Sequence, residues 1–358
     1  MEKKGYPNKT NRKIGYDIFR IFACFGVILN HTILIYDRYG EIHPWKYLVV
    51  TALFCLCKSA VTIYLLLSSA LLLKKEESYR DWFFKRLLRM IFILIVWSII
   101  YIDTNEWRKS NSLIHTISTI ISRESSLHLW YLYMFLGICI MLPFLRKMVT
   151  GMKKEDWTFF FLIWFVLGGG IPYYNAFFAE HPLILSPYFS VEFLSGFTAI
   201  YIMGYRIDSL KITNKRLFIA TIVFFAACFI NIAATYFITV TVSHSARNFD
   251  SPLMLPVVLS ACSGLYIAKW INEYFSKKRI KVFNFIVELS RCTLGIYLIH
   301  PLVLNWIWSN NTHLLYTKFF SNYAISIHQT LFLSMAVFTL SAFIVYIIRK
   351  IPFLKIIV

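Results

Sequence analysis

Hydrophobic positions along this chain fall into long blocks, separated by short polar segments rich in Lys and Arg. Each block is long enough to cross about 30 Å of hydrocarbon as a helix. A helix is the expected form because it satisfies its own backbone groups where no water can. About ten such spans are expected, near 16–36, 46–73, 87–103, 128–145, 157–177, 188–205, 217–242, 253–271, 283–308 and 328–348. The predicted fold class is all-α and polytopic, one integral-membrane domain over 1–358 led by a basic arm over 1–15. Gly168-Gly169-Gly170-Ile171-Pro172 is expected to loosen or break the fifth span, since Gly adds backbone freedom and Pro removes a donor. The longer connections, 104–127 and 309–327, are expected to lie on the membrane surface or cover a cavity.

Composition agrees, with 58% hydrophobic and only 15% charged residues, against roughly a quarter charged in soluble domains. The net charge of +19 suggests nucleic acid only until the charges are placed. With a cytoplasmic N-terminus, most of the 37 Lys and Arg residues fall on one side. They are Lys3, Lys4, Lys9, Arg12 and Lys13, then the stretches Lys74 to Arg89, Arg146 to Lys154, Arg206 to Arg216, Lys269 to Lys281 and Arg349 to Lys355. The other side holds Arg38, Lys46, Arg108, Lys109, Arg123, Arg247 and Lys318. The positive-inside rule then predicts both termini in the cytoplasm and a place in the cell inner membrane, with no nucleic-acid partner. The first span runs through His31 to Tyr36 without a small-residue cleavage site and is read as a retained helix. All seven cysteines lie in predicted spans with no CxxC pair, so neither a disulfide nor a metal site is expected.

Ionisable residues inside the bilayer cost several kcal/mol and mark function or a partner. Asp17, Arg20 and His31 share the first span. Arg20 and His31 lie close to three turns apart, so both project from one face, separated by roughly 16 Å along the axis. Asp17 and Arg20 pairing at the interface while His31 bonds a neighbouring helix is one reading. The other is chemistry: an imidazole exchanges protons near neutral pH and serves as general base or transient nucleophile. Lys85, Arg86 and Arg89 stand at the entry to the third span, suited either to topology anchoring or to gripping a polyanion. Lys58 and Arg291 lie too deep to be simple anchors, and Arg291 has Glu288 one turn earlier. His128, Trp130, Glu192 and His300 near outer span ends are candidates to line a polar site for a hydroxyl-bearing acceptor. HExxH, P-loop, dinucleotide and GxSxG motifs are all missing, which argues against metalloprotease, ATPase, NAD enzyme and serine hydrolase.

Four segments in order then form a pattern. They are Tyr16-Asp17-x-x-Arg20-x-x-Ala23 running to His31, Lys85-Arg86-x-x-Arg89, His128-Leu129-Trp130-Tyr131-Leu132, and Leu289-Ser290-Arg291-Cys292-Thr293-Leu294-Gly295-Ile296-Tyr297-Leu298-Ile299-His300-Pro301. The chain resembles the integral-membrane acyltransferase 3 family, which includes O-acetyltransferases of cell-surface glycans such as enterobacterial common antigen. The resemblance implies an acyl donor, usually acetyl-CoA, bound from the cytoplasm, and a glycan or lipid-linked saccharide acceptor on the outer side. By the same resemblance His31 is the catalytic histidine, Arg20 its motif partner, and Arg86 and Arg89 face the donor phosphates; Asp17 is a further catalytic candidate, and Lys85, Lys58 and Arg291 are further candidate cations for the donor. The second span departs from the family: Lys58, Val61-Thr62 and Ser68-Ser69-Ala70 stand where members often carry Arg, Val-Pro and Ser-Gly-Tyr. The soluble domain that many relatives add is not expected after Val358. Some proteins resembling this family are assigned to glycan export, so a polysaccharide exporter or flippase is the alternative.

Overall fold

The computed structural model describes residues 12–36, 44–104, 113–178, 180–189, 191–243, 251–275, 282–309 and 327–358. Most of the 1–15 arm lies outside them, as do Arg38, Arg108, Lys109, Arg247 and Lys318, the segment 276–281, and parts of both long connections, 104–127 and 309–327. The described residues form helices and turns, with no strand among them. The principal helices are α1 (Ile14–Tyr36), α2 (Pro44–Leu72), α3 (Tyr79–Thr104), α4 (Leu113–Ser122), α5 (Leu127–Gly151) and α6 (Lys154–Phe177), followed by α7 (Phe197–Ser209), α8 (Asn214–Thr241), α9 (Leu255–Phe275), α10 (Val282–Ser309) and α11 (Ile327–Lys350). Among the described residues nine of these are long and apolar enough to cross a membrane, all but α4 and α7. The molecule is an all-α polytopic membrane protein.

The expected span over 188–205 takes a different form. Its segment is divided into the single turn Glu192–Ser195 and the thirteen-residue α7, with Gly196 extended between them at ψ −156°. At about 1.5 Å per residue α7 is too short to cross hydrocarbon. It has no need to, because Ala199, Ile200, Tyr201 and Ile202 are wholly buried against other helices and meet protein instead of lipid. The glycine run in α6 loosens the helix, as expected, without breaking it. The helix continues through Trp164–Gly170 as a widened π-turn and resumes at Ile171–Phe177. The glycine at 168 serves close packing, since a Cβ there would run into the Ser195 carbonyl and the Trp164 ring.

α1 and α2 pack together at the centre, and α7, α9, α10 and α11 surround them. Gly204 of α7 lies directly on the backbone of α2 at Leu66, and in the next turn the Tyr205 N–H donates to Ser69 Oγ at 2.9 Å. Polar bonds of this kind hold helices together in lipid, where burying apolar surface gives no advantage. Another joins Thr32 of α1 to Ser334 of α11 at 2.6 Å. At the end of the bundle where α1 begins, Asp208 of α7 is 4% exposed and draws in four groups. Lys13 Nζ reaches it at 2.9 Å, Lys74 Nζ at 2.5 Å, the Tyr16 hydroxyl donates to the same carboxylate, and Lys269 Nζ donates to its backbone carbonyl at 2.8 Å. The carboxylate therefore ties α7 to the start of α1 and to the turn after α2, while the backbone carbonyl of the same residue holds α9. All seven cysteines are free, five of them buried and two half-buried. In the first long connection, α4 exposes Ile114, Ile117 and Ile121 along one face, the spacing of a helix lying in the membrane interface.

Candidate functional site

Three histidines from distant parts of the chain meet inside the bundle. The His300 ring of α10 lies 5.1 Å from the His31 ring of α1 and 5.5 Å from the His128 ring at the start of α5, centroid to centroid. His300 is fully buried and His128 nearly so. Tyrosines wall the group: Tyr101 of α3 meets His128 edge-on at 4.7 Å, and Tyr297 of α10 lies 5.6 Å from His128. The Tyr297 hydroxyl donates to the His128 carbonyl, and the Tyr101 hydroxyl donates to the Leu298 carbonyl at 2.7 Å. His128 Nδ1 is 3.0 Å from Ser126 Oγ and His300 Nδ1 is 2.6 Å from the Tyr297 carbonyl. The Nε2 atoms of both His128 and His300 are buried with no hydrogen-bond partner among the described residues. Buried polar atoms are almost always satisfied, so two orphans side by side in one cluster mark a place built for a polar group. Lys58 of α2 joins from the side, its ammonium 4.1 Å over the Phe54 ring and within electrostatic reach of His31.

The remaining candidates divide between this cluster and the end of the bundle where α1 begins. Asp17 is held by Arg12 at 2.7 Å and by Ser290 at 2.6 Å, with Arg20 further off at 3.8 Å. Arg20 Nη1 lies 3.5 Å from Ser290 Oγ, and its charge reaches Tyr64 and Tyr131 inside the bundle. Arg86 binds Glu77 through Nη2 at 2.6 Å, and Arg146 of α5 binds the other carboxylate oxygen at 2.8 Å. The hydrogen bonds from Arg86 and Arg146 hold the Glu77 carboxyl far below its usual range, at about 2. Lys85 is exposed and pairs with Asp81 at 2.8 Å. Arg89 has like charges for neighbours, Arg86 and Arg349. Arg291 pairs with Glu288 at 2.5 Å, and its carbonyl accepts from Arg349. Beside the Glu77 clamp opens a cavity of about 650 Å³, lined among others by Lys74, Arg146, Trp82 and Tyr205.

A line of aromatic side chains connects the two regions. Arg86 and Arg146 reach electrostatically to Tyr201, and Tyr131 packs 6.2 Å from Tyr64 and 5.7 Å from Tyr297, which borders the histidines. Aromatic side chains thus lie between the charged end of the bundle and the imidazoles in its interior. Trp130 and Glu192 stand apart from the histidines. The Trp130 ring packs on Tyr131 and Phe197, and Glu192 is exposed on its short helical turn. Among the described residues no group of His, Cys, Asp or Glu is disposed to hold a metal ion.

Residues 13–348 match the family model described as an acyltransferase domain. The chain belongs to the acyltransferase 3 family. Neither the curated proteins nor the solved structures contain a match to it. This membrane acyltransferase gathers at its candidate site several residues that its sequence did not single out. Glu77 and Arg146 sit among cations that resemble ordinary topology anchors. Tyr101, Tyr131 and Tyr297 resemble ordinary span aromatics. Only Tyr297 carried a usable sign, standing three residues before His300 and so on the same helix face.

Proposed function

We propose that this acyltransferase is an O-acetyltransferase of the cell inner membrane, moving an acyl group from cytoplasmic acetyl-CoA to a hydroxyl of a cell-surface glycan or lipid-linked saccharide. The convergence of His31, His128 and His300, linked by aromatic side chains to a strongly basic bundle end, carries this reading. Phosphates suit the basic end. Lys74, Lys75, Arg146 and Lys147 line a cavity large enough for a nucleotide-sized group, Arg86 stands behind its Glu77 wall, and Arg89 neighbours Arg86. Guanidinium groups bind phosphate in bidentate fashion. The acyl arm extends along the aromatic line to His31, and the acceptor hydroxyl enters from the other side towards His128 and His300. The hydroxyl oxygen attacks the acyl carbonyl, the C–O bond forms, the C–S bond breaks with its electron pair on sulfur, and the hydroxyl proton passes through imidazole to give the CoA thiol. His31 serves as base or as transient carrier of the acyl group.

Replacing both Arg86 and Arg89 with Gln is expected to weaken acetyl-CoA binding by about 1–3 kcal/mol for each charge-assisted hydrogen bond removed. Calorimetry on detergent-purified protein checks this, and unchanged affinity would return both residues to topology anchoring. Sidedness tests the function itself. Proteoliposomes of known orientation, given radiolabelled acetyl-CoA only on the cytoplasmic-equivalent face, should label a glycan acceptor on the opposite face. Acceptor that crosses the membrane unlabelled, with no donor required, would replace this reading with glycan export.

A further inference from the structure

The His300-Pro301 pair does more than place an imidazole in the bundle. Pro301 lies inside α10, which continues through it. In an α-helix the N–H of residue 301 donates to the carbonyl of residue 297, and proline has no N–H to give. The Tyr297 carbonyl would be left unsatisfied in a wholly buried place. The His300 ring fills the gap, with Nδ1 2.6 Å from that oxygen. A carbonyl only accepts, so Nδ1 carries the hydrogen, and a neutral imidazole protonated at Nδ1 presents a bare lone pair at Nε2. That Nε2 is buried and has no partner among the described residues, and its ring stands between those of His31 and His128.

We infer that His300 is a second catalytic histidine, whose Nε2 takes the proton of the acceptor hydroxyl, and that Pro301 sets its tautomer for that task. The inference rests on the acyltransferase reading above and divides its labour. In the transfer the acceptor O–H bond breaks and its proton goes to His300 Nε2, while the oxygen bonds to the acyl carbon. The C–S bond breaks, sulfur keeps the electron pair, and the proton passes from His300 by way of His31 to that sulfur. Ester and thiol leave neutral, and all the imidazoles return to their starting state. His31 is thereby freed to act on the donor side. His128, whose Nε2 also has no hydrogen-bond partner among the described residues, offers a second contact to the saccharide.

The decisive variant is His300→Asn, because an asparagine amide can still donate to the Tyr297 carbonyl but offers no basic lone pair. Expected is normal abundance, unchanged acetyl-CoA binding, and transfer to the acceptor slower by about 10²- to 10⁴-fold. A second variant, Pro301→Ala, returns the missing N–H to Tyr297 and releases the ring from its tautomer. It should be at least as resistant to thermal unfolding as wild type and yet transfer more slowly, a combination that a purely structural role does not give. Wild-type transfer rates in His300→Asn would overturn the inference. Should that variant fail to accumulate, wild-type transfer in Pro301→Ala would overturn it instead. His31→Ala, measured alongside, keeps the two levels apart. Full activity there would remove the acyltransferase mechanism at this site, whereas its loss together with an active His300→Asn would remove only the role of His300.

Discussion

Replacing His31 with Ala should leave the protein inserted and abundant while acyl transfer falls by about 10²- to 10⁴-fold, the usual contribution of a positioned acid or base. The expectation follows from the geometry of α1. Arg20 lies close to three turns away, roughly 16 Å along the axis, so no other ionisable group on that helix face can replace the imidazole. His300, whose ring lies 5.1 Å away, already commits its Nδ1 to the Tyr297 carbonyl. Folding should be spared, because His31 is only partly buried and makes no hydrogen bond that a neighbouring helix depends on among the described residues. Surface-glycan acetylation in a deletion strain carrying each form provides the measurement, with protein abundance as control. Wild-type acetylation from the alanine variant would rule out the catalytic assignment.

The second large effect is on stability. Asp208→Ala should lower the unfolding free energy by about 3 kcal/mol, towards the low end for breaking a buried ion pair, because Lys13 and Lys74 are each 38% exposed and can turn towards water. The Tyr16 hydroxyl cannot do so and loses its acceptor in a buried site. Asp208→Asn keeps an acceptor oxygen and should lose less. Thermal unfolding of the purified protein in detergent gives the comparison. Because the carboxylate joins α7 to the start of α1 and to Lys74 after α2 without approaching the histidines, transfer per folded molecule at saturating donor should be unchanged at low temperature. An alanine variant as stable as wild type would reduce the cluster to a surface arrangement of charges.

Much of the architecture can be read along the chain, because lipid demands long apolar blocks and nine such helices answer to the expected spans. The segment over 188–205 misleads for a physical reason: residues facing protein are as apolar as residues facing lipid, so composition alone does not distinguish a buried α7 from a span. The Gly168 to Pro172 run does announce a loosened helix, but not the packing that its glycines serve. Glycines that permit a break also permit close packing, and only the neighbouring Ser195 carbonyl decides between the two. At the site, His31, His128 and His300 each stand out as ionisable groups in hydrocarbon, but their meeting is a property of how α1, α5 and α10 pack. Likewise the pairing of Arg86 with Glu77 and Arg146 cannot be separated in the sequence from cations that merely anchor loops.

The seven free cysteines have a practical consequence. Each lies within a helix that packs in the bundle or faces hydrocarbon, where charged reagents do not go. The native chain is therefore a nearly silent background for membrane-impermeant maleimides. A single cysteine placed at an exposed loop position such as Glu180 or Lys75 would report on its own which compartment that loop faces, without first removing the seven natural thiols.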